Sequence, residues 1–201
     1  MTLISKGNLK ADFILASASP RRRELLNGLG LKFDVIPADV DESYLNGETP
    51  VEHVVRLSKM KADKICSQYP KSWVLSADTV VVLGGKILTK PADKSEARMM
   101  LDFLSGKVHE VYTGYSLKNL GAGKGVSDYV ISKVKIKALT AEEKEFYVNT
   151  NEPYDKAGGY AVQGIGAFMV EEVNGSYTNV VGLPLCQVLD KLESLGGIKL
   201  F

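Results

Sequence analysis

Residues Trp73–Leu83, which read WVLSADTVVVL, carry the strongest strand signal of the chain and place one charge in the middle of it. The valine-rich apolar run predicts a buried β-strand. A carboxylate inside so apolar a strand loses its hydration, and a buried charge without a partner is costly. We therefore expect Asp78 to meet a cation, a metal ion or several hydrogen-bond donors. Such a carboxylate suits a metal ligand or a general base, and a structural salt bridge is the alternative.

Helix and strand signals alternate on both sides of this segment, which predicts the α/β class. Gly84-Gly85 predicts a tight turn into a short second strand, Lys86–Leu88. Asn174-Gly175 predicts a hairpin between Phe168–Val173 and Ser176–Val181. Further strand candidates cover residues 13–18, 33–36, 108–117 and 126–139. The fold that follows is a mixed sheet flanked by helices.

Three helix starts are marked by a capping residue with a glutamate three positions later, the pattern of a capping box. They are Thr49–Glu52, Asp93–Glu96 and Thr140–Glu143. Another helix is expected after Ser19-Pro20, because proline is favoured at the first helical position, and a last one after Pro184. The sequence shows no internal repeat and no linker-like break, so we predict a single domain over residues 1–201.

The charge balance excludes some classes of protein. Lysine and arginine total 25 and aspartate and glutamate total 24, so the formal net charge is +1. This balance argues against a polybasic protein that coats nucleic acid. No apolar stretch approaches the ~20 residues that span a bilayer, so no membrane partner is expected. Cys66 and Cys186 lie far apart without metal-ligand spacing and fit a reducing compartment, and the expected location is the cytoplasm.

A candidate phosphate site lies where the strand at residues 13–18 runs into the first helix. The N-terminus of a helix presents unpaired N–H groups and the positive end of the helix dipole. The hydroxyls of Ser17 and Ser19 and the three guanidinium groups of Arg21, Arg22 and Arg23 add donors suited to phosphate oxygens. The alternative is a capped helix with a solvated arginine face.

A second candidate lies in the glycine-rich segment 152–166. Asp155 and Lys156 are followed by several glycines and by Gln163, which suits a loop that approaches a ligand closely. The Gln163 amide offers both a donor and an acceptor, as reading a nucleobase edge requires. A glycine-rich turn between strands is at least as well supported by composition alone. Lys90, held in extended backbone by Pro91, is a candidate partner of Asp78 or a phosphate clamp.

Several motifs, in colinear order over nearly the whole chain, resemble the Maf family of nucleotide pyrophosphatases. They are Ser17–Arg22, Ser76–Thr79, Lys90-Pro91, Asp155–Tyr160, Gln163-Gly164, Gly175–Tyr177 and Asn179–Leu185. The resemblance implies a fold similar to that of inosine-triphosphate pyrophosphatases, with an elongated mixed sheet and a cleft between two lobes. It also implies hydrolysis of a nucleoside triphosphate to the monophosphate and pyrophosphate, assisted by Mg²⁺ or Mn²⁺, and a homodimer.

The resemblance also implies roles for individual residues. Asp78 matches the family's proton acceptor, and Glu42, Lys61 and Lys90 match charged residues of its catalytic cleft. Glu42 and Asp78 are the expected metal-binding carboxylates.

Base preference is the second property that the matched residues imply. Ser19, Thr79 and Gln163 match positions that set this preference. Together with Arg21, they resemble the dTTP/UTP subgroup and not the 7-methyl-GTP subgroup. Three departures are mild: Ser76 stands where glycine is usual, Thr89 where glycine often precedes Lys-Pro, and Ala161 where glycine is frequent.

Two functions therefore follow as expectations. The first is hydrolysis of dTTP, UTP or modified pyrimidine triphosphates, which would prevent incorporation of wrong nucleotides and would be linked to cell-division arrest. The alternative is a nucleotide-sensing regulator of division and septum formation without catalysis. A regulator would need only the phosphate and base contacts, so the full polar set of Glu42, Lys61, Asp78 and Lys90 favours the enzyme.

Overall fold

The computed structural model describes residues 12–200 and confirms the α/β class. In this range the strands are Phe13–Leu15 (β1), Asp34–Val35 (β2), Trp73–Leu83 (β3), Lys86–Leu88 (β4), Val108–Asn119 (β5), Lys124–Ile136 (β6) and Val170–Asn174 (β7). The α-helices are Pro20–Gly28 (α1), Pro50–Gln68 (α2), Lys94–Leu104 (α3), Ala141–Val148 (α4), Tyr177–Val181 (α5) and Leu185–Ser194 (α6). Short 3₁₀ turns occupy Pro153–Asp155, Ala157–Gly159 and Gly164–Met169. Among residues 12–200, no helix combines the length and the apolar content that crossing a bilayer requires.

The sheet is mixed, as the sequence predicts. Its strand order is β2-β1-β3-β5-β6-β7, with β4 paired to β3 off this path. β1 runs parallel to β2 and β3, and Ile14 lies opposite Val74. β4 pairs antiparallel to β3 through the turn that Gly84-Gly85 predicts, and both glycines have positive φ. β3 has the bounds expected from its apolar run, because nearly every residue in it is buried.

The described chain forms two compact units. The described part of the first unit consists of residues 12–78, 113–129 and 182–200, and the second consists of residues 79–112 and 130–181. Residues 1–11 and 201, which the predicted single domain includes, lie outside the described residues. That a single domain spans the chain stays a prediction.

The capping signals place the helix starts correctly. Thr49 and Thr140 each form a complete capping box with the glutamate three residues later. The Asp93 side chain accepts a hydrogen bond from the Glu96 amide. A cap of this kind stabilises a helix by about 1 kcal/mol, and at α2 it fixes where the helix begins relative to the sheet.

Helix α2 packs very closely on the first unit's part of the sheet. Its buried face contributes Ala62, Ile65 and Cys66 to a cluster with residues of β1 and β3. The closest approach is at Gly114 in β5, where a Cβ atom would lie 2.3 Å from the carbonyl oxygen of Val54. Only a residue without a side chain allows this contact, so Gly114 sets the distance between α2 and the strand.

The predicted hairpin around Asn174-Gly175 is wrong in its second half. The first strand forms over Val170–Asn174, because residues 168 and 169 belong to the preceding 3₁₀ turn, and it pairs antiparallel with β6, with Val173 opposite Val134. Ser176 begins a helix instead of a strand, because its hydroxyl accepts a hydrogen bond from the Asn179 amide. This local cap offers the backbone an alternative to strand pairing, and the valines that suggested a strand lie in α5.

We expect Gly114→Ala to destabilise the protein by about 3 kcal/mol or more. A methyl group against a helix carbonyl cannot be relieved by a side-chain rotation, so the cost lies at the upper end of overpacking effects. Urea denaturation measures the change. Gly28→Ala is the control, because a Cβ atom there meets nothing within 4 Å; equal stability losses in both variants would contradict the close packing of α2.

Candidate active site

The first part of the site forms where β1 runs into α1. Arg22 lies in the first turn of α1 and directs its guanidinium toward the sheet. Its Nη1 donates to the Ser17 hydroxyl at 3.0 Å and to the Ala77 carbonyl at 2.8 Å. Its Nε donates to the Gly182 carbonyl at 2.7 Å. One guanidinium group thus joins three segments of the first unit next to Asp78.

Ser19 takes the N-cap position of α1, but its side chain makes no capping hydrogen bond. Its amide instead donates to the Ser17 hydroxyl at 3.3 Å. The sequence therefore predicts the position of the helix start and not the role of this hydroxyl. Ser17 becomes the shared partner of the Ser19 amide and Arg22, which fixes the turn before α1.

Arg22 keeps its positive charge although its surroundings in the first unit change its pKa. Burial lowers the pKa of Arg22, and neighbouring Arg21 lowers it further, whereas Asp78 and Glu42 act in the opposite direction. A guanidinium remains protonated far above physiological pH. The positive charge is therefore permanent, which suits an anion such as phosphate.

A buried lysine lies between two carboxylates. Lys61 Nζ donates to Asp78 Oδ1 at 2.8 Å and forms an ion pair with Glu42 Oε1 at 2.6 Å. Lys61 is 6% exposed and Asp78 9%, so both charges of that pair have left bulk water. The cation that Asp78 was expected to meet is Lys61, whereas the sequence suggested Lys90. The Glu42 side chain is 53% exposed and places its carboxylate where solvent reaches it.

A chain of buried serines holds Lys61 and Asp78 in register. The Ser76 hydroxyl donates to the Ser58 carbonyl at 2.5 Å, and both residues are fully buried. The Ser58 hydroxyl in turn lies 3.0 Å from the Ser116 hydroxyl on β5. Ser58 precedes Lys61 by one helical turn and Ser76 precedes Asp78 by two strand positions, so each pair shares one face of its element. The sequence signal for this link is the spacing of Ser76 and Asp78, which lie two positions apart on one face of a largely apolar strand.

The loop that carries Glu42 is clamped to α2. Arg56 Nε donates to Glu48 Oε1 at 2.5 Å, and its Nη2 donates to Glu48 Oε2 at 2.8 Å and to the Ser43 carbonyl at 3.0 Å. His53 Nδ1 lies 3.0 Å from Glu48 Oε2, and the Tyr44 ring stacks on the His53 ring. These contacts hold the loop against the helix that presents Lys61.

The other end of this loop is bound as well. The Lys64 ammonium donates to the Asp39 carbonyl. Arg56 and Lys64 therefore attach the loop on either side of Lys61 along α2. The only signal of this clamp in the sequence is a set of basic residues along one helix and an acidic loop before it, a pattern too common to predict these contacts.

The remaining candidates lie in the second unit. They are Thr79, Lys90, Asp155, Lys156 and Gln163. The Gly158 amide donates to the Thr89 carbonyl at 3.0 Å, which brings the segment of Lys90 next to the turn Ala157–Gly159. Lys156 Nζ lies 2.5 Å from Asp155 Oδ1 and donates to the Glu152 carbonyl at 2.7 Å. Gln163 is half-buried and lies just before the turn Gly164–Met169. It stays a prediction that these five residues bind the same substrate as Asp78.

The donor set of the first unit fits a hydrated divalent cation. Within residues 12–200, no three His, Cys, Asp or Glu side chains converge to hold a metal by themselves. Asp78 and Glu42 do converge, since both contact the same lysine nitrogen. One or two carboxylates together with substrate phosphates are the usual ligands of Mg²⁺ at nucleotide sites. This pair therefore suits a cation whose remaining ligands are phosphate oxygens and water.

Comparisons with known proteins place these features in context. The profile of a family described as Maf-like protein matches residues 12–195. The dTTP/UTP pyrophosphatase of Syntrophus aciditrophicus (strain SB) is 53% identical over 190 residues, which cover 94% of this chain and 93% of that protein. The dTTP/UTP pyrophosphatase of Clostridioides difficile (strain 630) is 50% identical over 190 residues, covering 94% of this chain and 98% of that protein. The structure of the Staphylococcus aureus Ham1 protein covers 92% of this chain and 90% of that chain, with a TM-score of 0.46 and 13% identity, a similarity too slight to bear on the site.

We expect the Glu48–Arg56 clamp to stabilise the protein in a pH-dependent way. The hydrogen bond from Arg56 is the main cause that lowers the pKa of Glu48 to about 2. A carboxylate with a lowered pKa contributes stability above its ordinary value near 4.5, and that contribution is lost as pH falls toward 2. Glu48→Gln should therefore lower the free energy of unfolding by about 2 kcal/mol at pH 7, and the difference from the unmodified protein should shrink at pH 3.

Urea denaturation of both proteins at pH 7, 5 and 3 measures this difference. Glu24→Gln is the matched control, because Glu24 is an exposed carboxylate of the same unit. A Glu48→Gln penalty that is the same at pH 7 and pH 3 would show that the charge of Glu48 does not stabilise the loop.

Proposed function

This chain belongs to the Maf family, and we propose that it is a nucleoside triphosphate pyrophosphatase that hydrolyses dTTP and UTP to the nucleoside monophosphate and pyrophosphate. Support comes from the family match over residues 12–195 and from relatives about half identical that are named dTTP/UTP pyrophosphatase. The observation that carries the proposal is the buried Lys61–Asp78 pair with Glu42 at its exposed side. A protein that only binds nucleotides needs contacts to phosphate and base, whereas hydrolysis also needs a positioned proton acceptor, a role that the Asp78 carboxylate can take.

The triphosphate is assigned to the cationic groups of the site. Arg22 offers a permanent charge next to Asp78, and Arg21 and the start of α1 add further donors. Lys61 is placed to contact a phosphate oxygen without moving away from Asp78, because an ammonium group has three hydrogens to donate. Lys90 and Lys156 of the second unit are assigned to the remaining phosphate charge.

Asp78 is assigned the role of general base. It takes the proton of a water molecule whose oxygen forms a bond to the α-phosphorus, while the bond from that phosphorus to the bridging oxygen breaks and pyrophosphate leaves. Lys61 offsets the negative charge of the carboxylate so that it can be held in an apolar strand. A positioned base contributes roughly 10²–10⁴-fold to the rate, and the cations contribute by stabilising the charge on phosphorus oxygens.

Asp78 and Glu42 would hold a divalent cation, Mg²⁺ or Mn²⁺. When bound, such an ion supplies charge neutralisation of the phosphates. Glu42 is the more exposed of the two carboxylates, and the clamp at Arg56 keeps it in reach of Lys61. The chain thus provides two fixed carboxylates and leaves the other coordination positions to the nucleotide and water.

Base choice is assigned to Gln163 with Thr79 and Ser19. A glutamine amide can pair with the donor and the acceptor on a pyrimidine edge. The proposal includes modified pyrimidine triphosphates, whose removal would keep wrong nucleotides out of nucleic acids, and a link to cell-division arrest. The homodimer, the cytoplasmic location and the lack of nucleic-acid binding stay predictions.

We expect Asp78→Asn to lower the rate of pyrophosphate release from dTTP and UTP by at least about 10²-fold. The amide keeps the size and the oxygen that accepts from Lys61 but cannot take a proton, so the fold and most of the dTTP affinity should be retained. Pyrophosphate release with Mg²⁺ or Mn²⁺ measures the rate, and calorimetry with dTTP measures binding.

Glu172→Gln, at an exposed carboxylate on β7, serves as the control and should retain full activity. Wild-type turnover by Asp78→Asn would refute the assignment of the base. Binding of dTTP by the unmodified protein without release of pyrophosphate would support the nucleotide-sensing alternative instead.

A further inference from the structure

The carboxylate of Glu152 is the centre of a small hydrogen-bonded cluster in the second unit. Oε1 accepts from the Ile165 amide at 2.9 Å, and Oε2 accepts from the Gly166 amide at 2.7 Å. The Tyr147 hydroxyl donates to Oε2 at 2.8 Å. Burial and the adjacent Glu152 raise the pKa of Tyr147, which keeps its hydroxyl protonated as a donor. Glu152 is the first residue of the predicted ligand loop 152–166, and no pattern in the sequence assigns its side chain a role.

These contacts determine the backbone next to Gln163. The two bound amides belong to the turn Gly164–Met169, which begins directly after Gln163. At the other end of the same segment, Lys156 donates to the Glu152 carbonyl at 2.7 Å. One residue therefore ties down both the Asp155-Lys156 end of the loop and the Gln163 end.

Two glycines show that the loop is built around this carboxylate. Gly164 has a φ of +70°, and a Cβ atom there would lie 2.2 Å from Glu152 Oε1. A Cβ atom on Gly166 would lie 2.7 Å from the Tyr147 hydroxyl and 2.6 Å from the Ala161 carbonyl oxygen. Neither position admits a side chain while Glu152 and Tyr147 stay in place.

We propose that Glu152 is a positioning residue for base selection, which holds the Gln163 amide where it can read a pyrimidine edge. The inference rests on the proposed function, because it needs Gln163 to face the base of the substrate. Glu152 acts through the backbone and does not touch the nucleotide. A site that hydrogen-bonds one base edge rejects another edge only if the side chain that contacts the base is held in place. A displacement of such a group by ~1 Å can lower the reaction rate ~10²-fold.

The test compares substrate preference in Glu152→Gln, Gln163→Ala and the double variant. The glutamine at position 152 keeps the size of the side chain but replaces one accepting oxygen by an NH₂ group, which cannot bind a backbone amide. We expect the ratio of kcat/KM for dTTP to kcat/KM for dGTP to fall by about tenfold or more, mainly through a higher KM for dTTP. The double variant should lose no more preference than Gln163→Ala alone, because both changes remove the same interaction.

Two further variants separate positioning from a general structural effect. Tyr147→Phe removes one of the three hydrogen bonds and leaves both amide contacts, so it should shift the preference in the same direction by a smaller factor. Glu172→Gln should leave the preference unchanged. Thermal denaturation of each variant shows whether it folds. If Glu152→Gln does not fold, the substrate preference of Tyr147→Phe is the deciding measurement.

The outcomes are distinguishable. Glu152→Gln and Tyr147→Phe with slower turnover of every substrate but the wild-type dTTP preference would overturn the positioning role and leave the proposed function intact. The positioning role would also be overturned if the double variant lost as much dTTP preference as Glu152→Gln and Gln163→Ala together. An unmodified protein that releases no pyrophosphate from any nucleoside triphosphate would overturn both.

Discussion

The attraction between Lys61 and Asp78 is the constraint on which the described site depends. Asp78 lies in a strand whose other residues are nearly all buried, and its charge is tolerable there because an ammonium group lies 2.8 Å away. Lys61 is buried as well, so removing it would leave the Asp78 carboxylate as an uncompensated charge in an apolar environment. Lys61 itself has a second partner in Glu42. A hydrogen bond of this kind weakens steeply with distance and angle, and α2 must therefore keep its register on β3.

Several separate features of the first unit maintain that register. Gly114 lets α2 approach the sheet, and the hydrogen bond from Ser76 to the Ser58 carbonyl prevents the helix from sliding along the strand. Arg22 fixes the residue before Asp78 by binding the Ala77 carbonyl, and the Glu48–Arg56 pair keeps Glu42 near Lys61. Each feature is a polar contact or a close approach beside apolar packing, because packing alone is less selective about register than directional hydrogen bonds.

The second unit applies the same principle to a loop. A glycine-rich segment has many accessible backbone conformations, and ordering it costs more entropy than ordering other sequences. Glu152 offsets this cost by accepting from two backbone amides and a phenol at once. The glycines are therefore required by the close approach of the carboxylate and do not make the loop flexible. A rigid support for Gln163 is what discrimination between bases would demand.

The sequence by itself determined the features that depend on neighbours in the chain. The apolar run of β3, the Gly84-Gly85 turn and the capping boxes of α2 and α4 all match the structure, because each reports a local preference within a few residues. The family resemblance identified Glu42, Lys61 and Asp78 as a set, but the residues alone suggested Lys90 as the partner of Asp78. The strand predicted for Ser176–Val181 is wrong for a local reason, because the Ser176 hydroxyl caps the helix that begins at Tyr177 and outweighs the strand preference of the valines. Only the tertiary structure decided that Lys61 is the partner of Asp78 and that Glu48 and Glu152 hold loops. These outcomes depend on which elements pack side by side, and contacts between residues distant in sequence leave no local pattern from which they could be predicted.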